Sequence, residues 1–207
     1  MQNQSMQIES TESCILSPGA SLLFRKSQLL SSSKGIYSAF ATPSGSKIYL
    51  RRAIGSDESL LLHWANNLQV RSNSFSSELI TPRVHSQWFQ DSLTNPNRLI
   101  LVAIGVSGYP LGQIRFDRSF TSNEAYIDIS LDTAARGFGL ASALVHQGIQ
   151  FMQKYWGKNI LLSAEVFEKN TASNLTFARY GFTPSASVQL QSVVHWSWHQ
   201  EMLNLAS

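Results

Sequence analysis

Residues 131–141 read Leu131-Asp132-Thr133-Ala134-Ala135-Arg136-Gly137-Phe138-Gly139-Leu140-Ala141, and the fold follows from what stands on either side of them. Upstream, Tyr126, Ile127, Ile129 and Leu131 make an alternating apolar run of the kind a strand needs. Downstream, an amphipathic helix is expected from Leu140 to about Tyr155. Two glycines at a strand-to-helix junction allow positive φ and let a ligand come close to the main chain. The leading N–H groups of the helix then point into the turn, with the positive end of the helix dipole behind them. Arg136 adds a fixed cation. The expected occupant is a pyrophosphate.

The rest of the chain bounds the class. Its 207 residues have room for one ordinary domain plus an extension. With 43% hydrophobic and 14% charged residues, a sizeable core is possible and general disorder is excluded. A net charge of +3, with Lys and Arg spread along the chain, does not point to nucleic acid. The longest apolar run, Leu99 to Val106, is too short to span a bilayer, so no membrane partner is expected. The single cysteine, Cys14, excludes an internal disulfide framework and fits a reducing, cytoplasmic compartment.

Residues 1–46 are Ser-rich, broken by Pro18, Gly19, Pro43 and Gly45, and without sustained periodicity. They are expected to be a poorly ordered extension, with the folded domain at 47–207. Arg25 and Lys26 follow the short apolar pieces instead of preceding them, which argues against a secretory signal. A strand is expected from Lys47 to Ile54. A helix capped by Ser56 and Asp57 follows, then a polar loop from Val70 to Leu79. Thr81-Pro82 starts a second helix, reaching about Leu93. Arg98–Val106 and Pro110–Phe120 read as a hairpin about Ser107-Gly108. Glu124 to Leu131 is the strand that enters the glycine turn. After the long helix, which ends at Gly157, come a strand from Ile160 to Phe167 and a helix from Asn170 to Tyr180 closed by Gly181. The last two strands begin at Phe182 and at Val193, the second ending near Trp198. This order predicts an α/β (α+β) domain with helices on both faces of its sheet.

The glycine turn lacks the Lys-Ser/Thr of a P-loop and the third glycine of a dinucleotide fingerprint. It does match Arg/Gln-x-x-Gly-x-Gly/Ala, as Arg136-x-x-Gly139-x-Ala141. The stretch Asn170 to Gly181-Phe182 resembles a second, later motif of the same proteins. On these two motifs, in order and separated by a strand, the chain resembles the GNAT acetyltransferase superfamily from about residue 47 to residue 202. The resemblance implies a GNAT fold, with a mixed, largely antiparallel sheet of about seven strands. It also implies acetyl-CoA as acetyl donor. Residues Ile129, Leu131, Arg136, Gly137, Phe138, Gly139, Leu140, Ala141, Asn170 and Ser173 would hold it.

Acetyl transfer to nitrogen needs a neutral amine, hence a group to take its proton. Glu165 is the first candidate: it precedes Asn170 by the spacing Glu-x-x-x-x-Asn that resembles ribosomal-protein-alanine acetyltransferases. Its apolar flanks, Leu161, Leu162, Ala164 and Val166, are expected to desolvate the carboxylate and raise its pKa. Glu124 is the second candidate and Asp128 a rival, both on the neighbouring strand. Any of the three also fits a structural ion pair. Many superfamily members carry a Tyr where this chain has Phe177, so the usual proton donor to the leaving thiolate is missing. That departure keeps open a non-catalytic acetyl-CoA-binding module. With no cysteine after Cys14, direct attack in a ternary complex is expected over an acetyl-cysteine relay. No metal is expected, because His195-x-x-x-His199 has no third ligand.

The stretch Trp64-Ala-Asn-Asn-x-x-Val70-Arg71-x-x-Ser74-Phe75, followed by His85-x-x-Trp88-Phe89, is similar to enzymes that acetylate 4-amino sugar nucleotides. Related wording occurs in acetyltransferases of ribosomal-protein N-termini. The expected acceptor is therefore a small-molecule amine on a nucleotide-linked sugar, contacted by Arg71, Ser74 and His85, with a protein N-terminus as the alternative. Structural packing is the competing reading for Trp64 and Trp88.

Overall fold

The structure is a computed structural model that describes residues 36–42, 45–184 and 192–199. The β-branched and aromatic runs become strands Ile36–Ala41 (β1), Lys47–Arg52 (β2), Arg98–Gly105 (β3), Pro110–Arg118 (β4), Glu124–Leu131 (β5), Leu161–Phe167 (β6), Thr183–Pro184 (β7) and Val193–Trp198 (β8). They form one sheet in the order β1-β2-β3-β4-β5-β6-β8-β7. Every pairing is antiparallel except β5 with β6.

The helices are Glu58–Ala65 (α1), Leu68–Ser72 (α2), Pro82–Thr94 (α3), Leu140–Trp156 (α4) and Thr171–Tyr180 (α5). From Lys47 onward the order of elements follows the expected one, with one added short helix, and helices pack on both faces of the sheet. One face packs Leu50, Leu101, Ile114, Phe116 and Ile127 against Leu144, Ile149 and Met152 of α4 and Phe177 of α5. Helix α4 sits very close: a Cβ on Gly148 would lie 2.7 Å from Ile114 Cδ1. The other face packs Ile100, Val102 and Ile104 of β3 against Leu61 and Trp64 of α1 and Phe89 of α3.

Several expectations need correction. The sheet has eight strands among the described residues, not about seven, because β1 lies inside the segment read as a poorly ordered extension. β1 pairs with β2 from Ile36↔Arg51 to Ala41↔Lys47, and Phe40 packs against the core. An edge strand needs an apolar residue on one face only, so its periodicity is too weak to see in a Ser-rich stretch. Residues 1–35 lie outside the described residues.

The loop from Val70 begins as the short helix α2, with Asn67 Oδ1 accepting from Gln69 N at 3.1 Å. Asp57 precedes α1, but its carboxylate does not cap the helix. It accepts a two-pronged contact from Arg51 (2.6 and 2.7 Å) and the Ile54 N–H at 2.9 Å. This buried pair ties β2 to the start of α1. By contrast, Thr81 Oγ1 accepts from Val84 N at 3.4 Å with Pro82 in the first turn, as expected of α3.

Candidate active site at a split in the sheet

The parallel pairing of β5 with β6 is short. It covers Glu124↔Leu161, Ala125↔Leu162 and Tyr126↔Ser163 and then stops, although β5 runs on to Leu131 and β6 to Phe167. Beyond Tyr126 and Ser163 the two strands part. Strand β5 stays bonded to β4 and β6 to β8 through this region, so each keeps one edge without a strand partner, facing the gap.

The glycine turn closes the β5 side of this split. Asp132 Oδ1 accepts from Ala134 N at 2.9 Å, which sets a 3-10 turn over Thr133–Ala135. Gly137 and Gly139 both have positive φ, 84° and 73°, and a Cβ on Gly137 would meet nothing within 4 Å. Gly139 is the N-cap of α4 and brings no capping side chain, so the leading N–H groups of a 17-residue helix are left to a ligand. A cavity of about 460 Å³ lies against this end, between Phe40–Thr42, Gly139–Gln147 and the Arg179–Tyr180 end of α5. Open backbone, leading helix N–H groups and the exposed cation of Arg179 fit a phosphorylated cofactor. Burial pushes the Tyr180 hydroxyl up to about 12, so it stays protonated at any working pH.

Arg136 departs from its expected role. Its Nε and Nη2 donate to Leu131 O at 3.2 and 3.0 Å, and its Nη1 donates to Gln69 Oε1. It braces the turn, whereas the cation at the cavity is Arg179, which the sequence did not single out. Two further contacts join the front segment to the turn: Trp64 Nε1 donates to Asp132 Oδ2 at 2.9 Å, and Asn67 Nδ2 to Thr133 Oγ1 at 3.5 Å. The 64–71 stretch therefore supports the turn, a role no local pattern reveals.

Asn170 caps α5, accepting from Ser173 N at 3.3 Å. Both residues sit where β6 ends, on the far side of the split from the turn. Ile129 and Leu131 line the β5 side, their side chains packed against the core. Phe138 is 68% exposed on the turn, while Leu140 is buried and Ala141 half-buried.

On the sheet face shared with α1 and α3, those helices pack on β3, and among the described residues no helix forms a core with β5, β6 and β8. Alternation puts Glu124, Tyr126 and Asp128 there from β5, Ser163 and Glu165 from β6, and His195 from β8. Phe75 reaches one end of this trough, its ring 5.2 Å from that of Phe167. Asp128 and Glu165 each stand two residues past the last paired positions, flanking the split. Glu124 stands at the closed end, where β5 and β6 are still paired.

Arg115 Nη2 lies 3.7 Å from Asp128 Oδ2, and its Nε lies 2.8 Å from Asp117 Oδ2. Burial pulls the Arg115 pKa down, but Asp128 and Asp117 more than offset that and raise it. Glu165 Oε1 lies 3.3 Å from His195 Nδ1, and the Glu165 side chain is 38% exposed. The desolvating pocket expected around Glu165 is absent, because Leu162, Ala164 and Val166 point to the opposite face. Gln113 Oε1 and Ser130 Oγ, on directly opposed residues of β4 and β5, are buried without a hydrogen bond among the described residues.

The residues expected to grip the acceptor are bonded within their own loop or buried. Arg71 turns into its own loop: Nε donates to Ala65 O at 2.6 Å, Nη1 to Ser76 O and Glu78 O at 3.3 and 3.4 Å, and Nη2 to Ser74 Oγ at 3.1 Å. Ser74 Oγ in turn donates to Val70 O at 2.7 Å. His85 is 2% exposed, stacked on Phe89 with ring centroids 5.9 Å apart, and neither ring nitrogen has a partner among the described residues. Phe177, in the position where a Tyr was expected, is 2% exposed in the core. Among the described residues, no group of His, Cys, Asp and Glu has a metal-binding arrangement, and no helix is long and apolar enough to cross a membrane.

The model of the acetyltransferase (GNAT) family matches residues 64–182. The chain belongs to the GNAT family. It is an acetyltransferase, and acetyl-CoA is its acetyl donor. No curated protein sequence matches it significantly. Solved GNAT structures share the fold at low identity. Spermidine N-acetyltransferase from Vibrio cholerae, in complex with CoA and spermine, is 13% identical with a TM-score of 0.67, over 74% of this chain and 96% of that one. The ribosomal L7/L12 α-N-protein acetyltransferase RimL, in complex with CoA, is 14% identical with a TM-score of 0.65, over 79% and 97%. The GNAT domain of S. lividans PAT is 20% identical with a TM-score of 0.65, over 78% and 95%.

Proposed function

We propose that this GNAT enzyme acetylates the primary amine of a cationic small acceptor lying in the trough over β5, β6 and β8, by direct attack in a ternary complex. The observation that carries the reading is the pair of carboxylates, Asp128 and Glu165, flanking the sheet split and exposed among the described residues. Carboxylates there attract an ammonium and repel a diphosphate. The guanidinium that would have gripped a diphosphate, Arg71, is already bonded within its loop.

When bound, acetyl-CoA supplies a thioester carbonyl activated toward an amine. The backbone of Gly137 to Leu140 and the side chain of Arg179 would hold its phosphates, and the free strand edges, including Ile129 and Leu131, its arm. Gln113 Oε1 and Ser130 Oγ offer buried acceptors to N–H groups of the ligand. Cys14 lies outside the described residues, and it is the only cysteine, which favours direct attack.

The likeness of residues 64–89 to sugar-nucleotide enzymes favours a second acceptor class, an amino sugar on a nucleoside diphosphate. One assay decides between them: CoA release with spermidine, with a short peptide bearing a free N-terminus, and with an amino sugar nucleotide. Turnover with either of the first two supports the cationic acceptor. Turnover with the sugar nucleotide alone overturns it.

A further inference from the structure

We infer that Glu165 and His195 act as one proton-accepting unit for the acceptor amine, with the imidazole taking the proton and the carboxylate holding the charged ring. The inference rests on the acceptor lying in the trough. Sequence alone had left His195 as half of an incomplete metal spacing.

The two side chains are paired by the sheet itself. Glu165 and His195 are opposed residues of β6 and β8, so their Cβ atoms leave the same face side by side. Neighbouring positions fix which face that is: Ala164 and Trp196, also opposed, are both buried in the core beneath. Nδ1 stands 3.3 Å from Oε1, and the side chains are 41% and 38% exposed. The pair is thus rigidly mounted, reachable from the trough, and beside the open part of the split.

Chemistry favours the imidazole as the proton's destination. An exposed carboxylate is a weak base near neutral pH, whereas histidine ordinarily titrates there, which suits a general base. A base oriented by a neighbouring carboxylate is a recurring arrangement in group transfer. In the step itself, one N–H bond of the acceptor ammonium breaks and nitrogen keeps the electron pair. The proton turns the neutral ring into an imidazolium beside the Glu165 carboxylate. The amine is then free to attack.

Among the described residues, other charged or titratable groups facing this region are Glu124, Tyr126 and Asp128 on β5, Arg115 on β4, and Lys169 just past β6. Arg115 is engaged with Asp117 and Asp128, and Lys169 Nζ lies 5.3 Å from the Phe167 ring. Neither stands in the pairing.

The test uses His195→Asn, which can still donate an N–H toward Glu165 but takes no proton, with Glu165→Gln and the double variant. The amine is the best one from the acceptor panel. Each single variant should lower kcat by about 10²–10⁴-fold, the range for a positioned base. The double variant should be no worse than the poorer single one, because the two residues act as a unit. Residual activity should rise more steeply with pH than in the parent, as the amine loses its proton unaided. Independently of turnover, nitrogen NMR of the neutral imidazole should show a smaller share of the Nδ1–H tautomer in E165Q than in the parent, since a carboxylate 3.3 Å from Nδ1 can only accept a hydrogen bond whereas an amide can also donate one. A near-parent kcat and pH profile in H195N overturns the pair, as does a tautomer balance unmoved by E165Q. A parent chain that acetylates no amine of the panel sinks the acceptor's placement instead, and the NMR result still decides the pair.

Discussion

At the scale of single residues, His85 is a polar side chain that works against its own burial. On α3 its ring is buried with neither nitrogen partnered among the described residues, and that desolvation holds its pKa below the ordinary histidine value despite the opposing pull of Glu58. A histidine whose folded-state pKa is lowered binds fewer protons folded than unfolded. Stability is therefore lost as pH falls through the ordinary histidine value and on toward the lowered one. His85→Phe keeps the stacking on Phe89 and removes the unsatisfied nitrogens. We expect it to raise stability by about 1 kcal/mol at neutral pH, and by more on the acid side. Thermal melts from pH 5 to pH 8 check this; equal gains at both ends would mean that the ring does not charge on unfolding.

At the scale of elements, the segment between α1 and α3 is held by two side chains, Arg71 and Asn66. Arg71 bonds carbonyls at Ala65, Ser76 and Glu78 and the hydroxyl of Ser74, while Asn66 pairs with both the N–H and the C=O of Ile80 at 2.8 Å. A planar guanidinium fork donates to acceptors in several fixed directions, which a compact ammonium cannot match. Arg71→Lys and Arg71→Ala should therefore both loosen this segment, at a cost of about 1–3 kcal/mol. Faster proteolysis within residues 72–80, with acetyl-CoA affinity nearly unchanged, is the expected reading. A variant whose loop stays resistant to protease while acceptor KM alone rises would restore the ligand-gripping role.

At the scale of the whole molecule, the sheet begins earlier than residue 47. β1 covers the free edge of β2, places Phe40 on the core, and forms part of the cavity wall beside Gly139. A chain starting at Lys47 should melt lower than one starting at Ile36. Losing one edge strand and its aromatic contact costs about 2 kcal/mol, which in a domain of this size is about 4–8 °C. Acetyl-CoA affinity should fall as well. Identical melting temperatures would show that β1 adds nothing to the folded domain.

The order of elements, the glycine turn and the helix that follows it were legible in the sequence. Local chemistry decides them: apolar period, Thr81-Pro82 as a start signal, Gly157 and Gly181 as stops, and glycines where φ is positive. Glu165 could be named as well, but not its surroundings, because alternation says that two faces exist and not what covers each. Only the tertiary structure decided that Arg71 and Arg136 are bonded to nearby carbonyls, and that β5 and β6 part after Tyr126. It also decided that His195 stands beside Glu165, 30 residues away in sequence. Such facts depend on which strands become neighbours and where their pairing ends. That is set by packing among residues distant in the chain, which no local pattern encodes.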